Sequence, residues 1–247
     1  MDIKNICIYN MYPAILGIRN SFKSKDKSDS QRVLCFSRED FYSFNHCKLG
    51  KIDEILVNKL LKKGKKDPEY CNQERKFLRQ ILVSMDISGS IKFWAQMDTF
   101  KIATVRNSES TMHSITKGIL EQSDFEREIN EGHLDYVQTL IIKYNLIKKM
   151  DEIEIKKWSN ISEANCNYKG SNKQEILTEL FELIDANLPS GYVLESHWTG
   201  NYENLRNIYH GRKNHKMFWW HEFISLVEKL PYFELLIKGE DIKKELK

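Results

Sequence analysis

Residues 188–223, LPSGYVLESHWTGNYENLRNIYHGRKNHKMFWWHEF, decide more of the fold than any other stretch of this chain. Pro189-Ser190-Gly191 reads as a turn, and Tyr192, Val193 and Leu194 as a short strand behind it. Thr199-Gly200-Asn201 stops that strand and offers Asn201 as a helix N-cap. At about 3.6 residues per turn, Asn201, Leu205, Ile208 and Arg212 share one face of the helix that follows. An arginine on an otherwise apolar stripe is costly to bury without an anionic partner. Arg206, Lys213, His215 and Lys216 add positive charge around it. Two readings are open: an anion pocket, or a surface helix whose arginines are solvated. The second holds if Gly211 ends the helix before Arg212.

Upstream, residues 93–114 (FWAQMDTFKIATVRNSESTMHS) pass from an aromatic helix into a segment dense in hydroxyls, with Lys101, Arg106, Asn107 and Glu109. Hydroxyls, amides and backbone N–H groups in such a loop can cradle a phosphate. An ordinary polar turn is the competing reading.

Taken together, the order strand, Trp-Thr-x-Asn, Asn-Leu-Arg-Asn, then an Arg followed by a His and an aromatic helix resembles the C-terminal signature of flavin-dependent thymidylate synthases. By that resemblance Asn201 and Asn207 contact the flavin, and Arg212 sits over the pyrimidine of deoxyuridine monophosphate (dUMP) as the catalytic, substrate-orienting residue. The first block resembles the family's other signature, which runs Arg-His-Arg, a Ser, and a second Ser two residues before an Arg. Gln96 then stands at the pyrimidine-contacting glutamine, Lys101 at the third residue of Arg-His-Arg, Thr104 at the first serine and Ser110 at the second. The resemblance therefore implies that Gln96, Lys101, Ser110 and Arg212 bind substrate, and that Lys101, Thr104, Asn107, Asn201 and Asn207 bind the flavin.

The departures are specific. Thr99 and Phe100 occupy the first two positions of Arg-His-Arg, Met112 replaces the final arginine, and 74–80 (ERKFLRQ) stands where the family carries a histidine at the flavin edge. Lysine is a point charge, and it does not reproduce the bidentate grip of arginine on phosphate. Arg75, Arg79 and Arg106 are candidates to supply the cations from new positions. The resemblance covers about residues 70–235, with residues 1–69 a divergent N-terminal part.

The resemblance implies one α+β domain over 1–247, with a central, mostly antiparallel sheet flanked by helices. It implies FAD as cofactor, a reduced nicotinamide (NADPH) and methylenetetrahydrofolate as co-substrates, and a homotetramer whose sites form between subunits. The reaction would be flavin-dependent one-carbon transfer to C5 of dUMP or a related pyrimidine nucleotide. A different class of reading stays beside it: a protein that kept the fold, lost catalysis, and binds or sequesters a nucleotide.

The remaining sequence limits the alternatives. The 247 residues, 41% hydrophobic and 30% charged, suit a soluble globular chain rather than a disordered one. A net charge of +3 permits anionic ligands without pointing to a nucleic-acid polymer. The five cysteines (Cys7, Cys35, Cys47, Cys71 and Cys166) form no CxxC pair, which favours reduced thiols over a disulfide framework or a zinc site. No signal peptide or membrane span is legible, so a cytoplasmic protein is expected. His210, His215 and His221 do not share a helix face, so no metal is expected. GxGxxG and P-loop motifs are both missing from the chain.

Periodicity predicts a strand and turn over 1–22, and a mobile polar loop at 23–30 (KSKDKSDS) that could close over the site. A helix over 52–63 should close at Gly64, with a second helix opening at Asp67-Pro68. The lysine run at 62–66 reads as a solvated helix end or, alternatively, a phosphate patch. Ile81, Val83, Met85 and Ile87 alternate as in a strand, and Ile91–Phe100 as a helix. Helices are expected over 124–150 with a break near Gly132, over 173–186, and from Phe218 until Pro231. His46 beside Cys47 reads as structural, because neighbours in a strand point apart. The five tryptophans read as core or subunit contacts.

Overall fold

The structure is a computed structural model describing residues 1–66, 73–151, 153–155 and 172–239. The Asp67-Pro68 helix start, Cys71, Trp158 and Cys166 lie outside the described residues, as do the side chains of Lys63, Lys65 and Lys66. Contacts group the chain into two compact units: residues 1–89, 93–107 and from 195 on, and residues 90–92 with 108–194.

A six-stranded sheet lies almost entirely in the first unit. Its strands are β1 (Asp2–Tyr9), β2 (Gln31–Arg38), β3 (Phe41–Lys48), β4 (Leu82–Ser90), β5 (Val105–Ser108) and β6 (Val193–Asn201), in the order β2-β3-β1-β4-β6-β5. β1 runs parallel to β3 and antiparallel to β4, and β2 is antiparallel to β3. A parallel neighbour needs a crossover rather than a hairpin, and α1 (Met11–Ile18) lies in the one between β1 and β3. Asn10 begins that crossover with φ 65°, a left-handed conformation that asparagine tolerates.

The alternation along β4 comes out as expected. Ile81, Val83, Met85 and Ile87 are fully buried, and each is worth about 1.5–3 kcal/mol relative to exposure. Beside them lies an aromatic cluster: Phe93 meets Trp94, Trp220 and Phe223 with ring centroids 5.2, 5.4 and 6.4 Å away. Trp94, Trp198, Trp219 and Trp220 are all buried.

Local differences from expectation have physical causes. Helix α2 spans Lys51–Lys66, passing through Gly64 rather than stopping there. Asp29 opens it, its carboxylate accepting from the backbone N–H of Ile52 (2.9 Å) and Asp53 (3.1 Å). The 23–30 loop is pinned at its end. Ser28 Oγ and Ser30 Oγ each donate to Asp53 Oδ2 at 2.6 Å, and Arg19 Nε donates to Asp53 Oδ1 at 2.5 Å. His46 is sandwiched by Phe36 and Tyr232, at 4.7 and 6.1 Å, and hydrogen-bonds Ser43. Cys47 is fully buried, and burial pushes its thiol up to about 11. The pair is structural.

Helix α3 (Ile91–Met97) follows β4 and continues as a 3-10 turn, Asp98–Phe100. In the second unit, a short helix α4 (Thr111–Ser114) precedes α5 (Glu131–Lys149) and α6 (Lys173–Asn187). Asn130 and Asn172 cap the latter two, accepting from His133 N and Glu175 N. Gly132 falls in the first turn of α5 and does not break it. Val137, Leu140, Ile141 and Ile147 share a core with Ile176, Leu180 and Ile184. None of the helices in the described residues is long and apolar enough to cross a membrane.

Candidate functional site

Strand β6 runs straight through Thr199 and Gly200 to Asn201, longer than the sequence suggests. Gly200 permits this, because a Cβ there would collide with the Trp198 ring. Asn201 then caps α7 (Tyr202–Arg212) as expected. Its Oδ1 accepts from Asn204 N at 3.0 Å, and Asn204 Oδ1 accepts from Asn201 N at 3.1 Å. This reciprocal box satisfies two helix-end donors inside the protein. Asn204 Nδ2 also donates to Ile102 O at 2.8 Å, tying the 98–104 loop to the helix. Asn201 is only 3% exposed, and its own Nδ2 has no partner among the described residues.

A cavity of about 400 Å³ opens beside this cap. Asn201, Glu203, Asn204 and Asn207 form one wall, and Thr99, Phe100, Ile102 and Ala103 another, with Arg79 completing it. Ala103 holds φ 60°, which costs an L-residue roughly 1–2 kcal/mol. Strain of this kind is often kept at ligand sites.

Gly211 does not end the helix, and Arg212 is its last residue. The Arg212 guanidinium carbon lies 5.0 Å from the Phe100 ring centroid and 5.2 Å from that of Trp220. The approach of Phe100 depends on Gly211, since a Cβ there would lie 3.3 Å from Phe100 Cζ. Arg212 Nη2 also donates a long hydrogen bond, 3.5 Å, to Thr99 Oγ1. Its Nε is buried without a partner, and no carboxylate pairs with it among the described residues. Gln96 belongs to the same cluster: its Oε1 accepts from Trp220 Nε1 at 2.8 Å, and its carbonyl accepts from Thr99 Oγ1 at 2.7 Å.

The expected site residues therefore divide. Asn201 and Asn207 share the cavity wall, and Gln96 and Arg212 meet through Thr99 and Trp220. Lys101, Thr104 and Asn107 follow on the 98–104 loop and β5. Lys101 and Asn107 are exposed, and Thr104 Oγ1 donates to Lys101 O at 3.0 Å. Ser110 lies in the second unit, exposed at the head of α4, while the cavity lining is drawn from the first.

The surrounding charges are arranged differently from expectation. Arg206 is buried, and its Nη1 donates to Leu236 O and Ile237 O at 3.3 and 2.9 Å, anchoring a π-helix over Phe233–Lys238. Arg106 faces Asp98 (3.6 Å) and lies over the Trp94 ring (4.8 Å). Arg75 pairs with Glu203 at 3.4 Å. Glu203 is the residue that sequence reading missed. Burial raises its pKa, outweighing the opposing pull of Arg75, Arg206 and Arg79. A glutamate in the first turn of a helix reads as a dipole complement, and nothing in its neighbours signals burial. His215 is lowered, mainly by burial, with Arg212 and His221 adding to it.

Neither a protein-family model nor a curated protein matches the sequence. Solved structures do. Thymidylate synthase X (ThyX) from Helicobacter pylori with FAD and dUMP is 12% identical, with a TM-score of 0.58 over 97% of this chain and 99% of that one. A second structure of that flavin-dependent enzyme, complexed with FAD and dUMP, is 14% identical, with a TM-score of 0.54 over 98% and 100%. At such identities the likeness is one of architecture: the chain has the α+β fold of flavin-dependent thymidylate synthases, a six-stranded sheet flanked by helices.

Proposed function

We propose that the protein is a flavin-dependent enzyme transferring a one-carbon unit to C5 of a pyrimidine nucleotide, dUMP or a close relative. One observation carries the reading. Asn201 and Asn207, singled out by resemblance to flavin-contacting asparagines, line a single cavity that also receives Thr99 and Phe100 from the other signature block. A volume of about 400 Å³ is within the usual range of small-molecule sites, about 300–1,000 Å³. The neighbours of known structure bind FAD and dUMP, and the residues here suit both groups. The Asn201 and Asn207 amides offer donors to a ring carbonyl, and Phe100 and Ile102 supply an apolar face.

When bound, the flavin would supply hydride chemistry that no side chain can. The chain's own residues bind and orient. Arg212, held by two rings instead of a carboxylate, keeps its N–H edge for the pyrimidine carbonyl or a phosphate. Gln96, fixed by Trp220, presents its amide nitrogen to the base. Lys101, Thr104, Asn107 and Ser110 would hold phosphates. Methylenetetrahydrofolate as carbon donor, NADPH as reductant, a homotetramer completing each site, one domain over 1–247 and a cytoplasmic location belong to the same proposal.

The second reading, a nucleotide-binding protein without catalysis, is favoured by the neutral Thr99 and Phe100 in the cavity wall. A visible absorption spectrum of the purified protein, before and after adding FAD, separates the two. Flavin binding followed by methylation of dUMP in the presence of NADPH and methylenetetrahydrofolate is the expected result. A protein that takes up no flavin at any concentration is not this enzyme.

A further inference from the structure

We propose that Glu203 reads the N–H of an imide edge, the carbonyl, N–H, carbonyl sequence that an isoalloxazine ring and a uracil ring share. This role rests on the reading of the cavity as the site of such a ring, and it adds an acceptor to the amide donors of that wall. Glu203 lines the cavity of about 400 Å³ together with Asn201, Asn204 and Asn207. It is 8% exposed. One carboxyl oxygen, Oε1, faces Arg75 Nη2 at 3.4 Å, while Oε2 is buried with no hydrogen-bond partner. Buried polar atoms are as a rule hydrogen-bonded, and an orphaned oxygen on a residue that lines a cavity calls for a donor from a ligand. Burial outweighs the pull of Arg75, Arg206 and Arg79 and holds the Glu203 pKa above its ordinary value, so these arginines leave the carboxyl undercompensated.

The α7 wall has the pattern that an imide requires. Glu203 and Asn207 stand four residues apart on α7, and such residues are neighbours on a helix surface, with Cβ atoms about 5–6 Å apart. Asn207 is exposed, and its amide has no partner among the described residues. Asn201 brings a second amide nitrogen without a partner, whereas Asn204 Nδ2 is taken by Ile102 O at 2.8 Å. A carboxylate only accepts, and even when protonated it keeps accepting capacity. Amide donors beside such an acceptor complement an edge on which two carbonyls flank one N–H. Phe100 and Ile102, on another wall of the cavity, are apolar and suit the face of a ring. A site built to hydrogen-bond an N–H rejects the analogue that lacks it, because its own buried polar group is left unpaired.

The imide belongs to the flavin or to the nucleotide, and N-methylation separates them. Wild type, Glu203→Gln and Glu203→Leu are titrated, as full chains, with riboflavin and 3-methylriboflavin, and with dUMP and 3-methyl-dUMP. Circular dichroism verifies that each variant folds. The readout is the affinity ratio of each N–H ligand to its N-methyl partner, which a carboxylate serving only to hold Arg75 would not move. Wild type is expected to prefer the N–H form by about 10- to 100-fold, the range for a hydrogen bond to a charged group. Glu203→Leu should remove most of that preference, and Glu203→Gln, which keeps an acceptor of the same shape, should retain part of it. A preference lost for the flavin pair alone assigns the isoalloxazine imide, and one lost for the dUMP pair alone assigns the uracil imide. A wild type that binds both forms alike overturns the proposal without any variant. So does a preference that Glu203→Leu leaves intact, which a clash with the methyl group would give by itself. Flavin and dUMP bound with no Glu203-dependent preference sink the role of Glu203 and leave the enzyme standing. A Glu203-dependent preference for dUMP, with no flavin bound, does the reverse. Binding of neither ring overturns both.

Discussion

Arg19 and Arg212 belong to the same compact unit and have opposite surroundings. Arg19 is 4% exposed and bound to Asp53, a carboxylate that also collects Ser28 and Ser30. Arg212 is half-buried between Phe100 and Trp220 with no carboxylate among the described residues. An arginine whose charge is answered inside the chain holds structure together. One steadied by aromatic faces keeps an N–H edge for something that arrives later. Arg206 is a third case, its charge spent on the carbonyls of Leu236 and Ile237.

The comparison breaks first, if it is wrong, at Asp53. Asp53→Ala strands a buried guanidinium and should cost about 3–5 kcal/mol, read from urea or guanidinium unfolding. A change no larger than that of a surface substitution would deny the pair its structural role. Acid should act on the same group. Burial alone would raise the Asp53 pKa, but the hydrogen bonds from Ser28, Ser30 and Arg19 outweigh it and hold it below the ordinary value. The folded value is therefore below the unfolded one. The contribution is complete above about pH 4 and disappears as pH falls through the folded value. Unfolding free energy measured from pH 6 downward should drop in that window, and Asp53→Asn should remove that part of the slope.

Gly239→Ala comes next. Gly239 has φ 58°, and a Cβ there would collide with the Arg206 guanidinium. The expected cost is about 1–3 kcal/mol, visible as a lowered melting temperature. Arg212→Ala should leave the unfolding free energy within about 1 kcal/mol while weakening the nucleotide by tenfold or more, about 1.4 kcal/mol. If stability falls and binding does not, Arg212 belongs with Arg19. The smallest effect is expected of Phe100→Leu, which keeps an apolar side chain and removes one ring from Arg212. About 0.5–1 kcal/mol of cation–π attraction is at stake, measurable as a modest rise in dissociation constant with little change in melting temperature.

What could be read in advance was local. The Asn201 cap and the alternation along β4 depend on residues a few positions apart, and each is found in the structure; whether α7 passes Gly211 to Arg212 stays open in the sequence and is decided by the structure. Helix α1 was missed because MYPAILGI is apolar all round and has a proline and a glycine, so it shows no amphipathic period. The β2–β3 hairpin was missed too, because its residues show no clean alternation and Leu34, Tyr42 and Phe44 remain exposed. Glu203 escaped for a different reason. Its meaning comes from a long-range neighbour, Arg75 before β4, which no short motif records, whereas Arg79 already stood among the candidate cations.

Trp220 has a practical consequence. It is fully buried, donates to Gln96, and carries Arg212 against its ring. An indole so placed is an optical reporter built into the proposed site, since tryptophan emission overlaps flavin absorption. A flavin settling near Arg212 would quench it by energy transfer, and a bound nucleotide that displaced the guanidinium would shift its emission with no dye attached. Subtracting the signal of a Trp220→Phe variant would isolate that one indole from the other tryptophans. Occupancy of the site could then be followed in real time, whatever reaction takes place there.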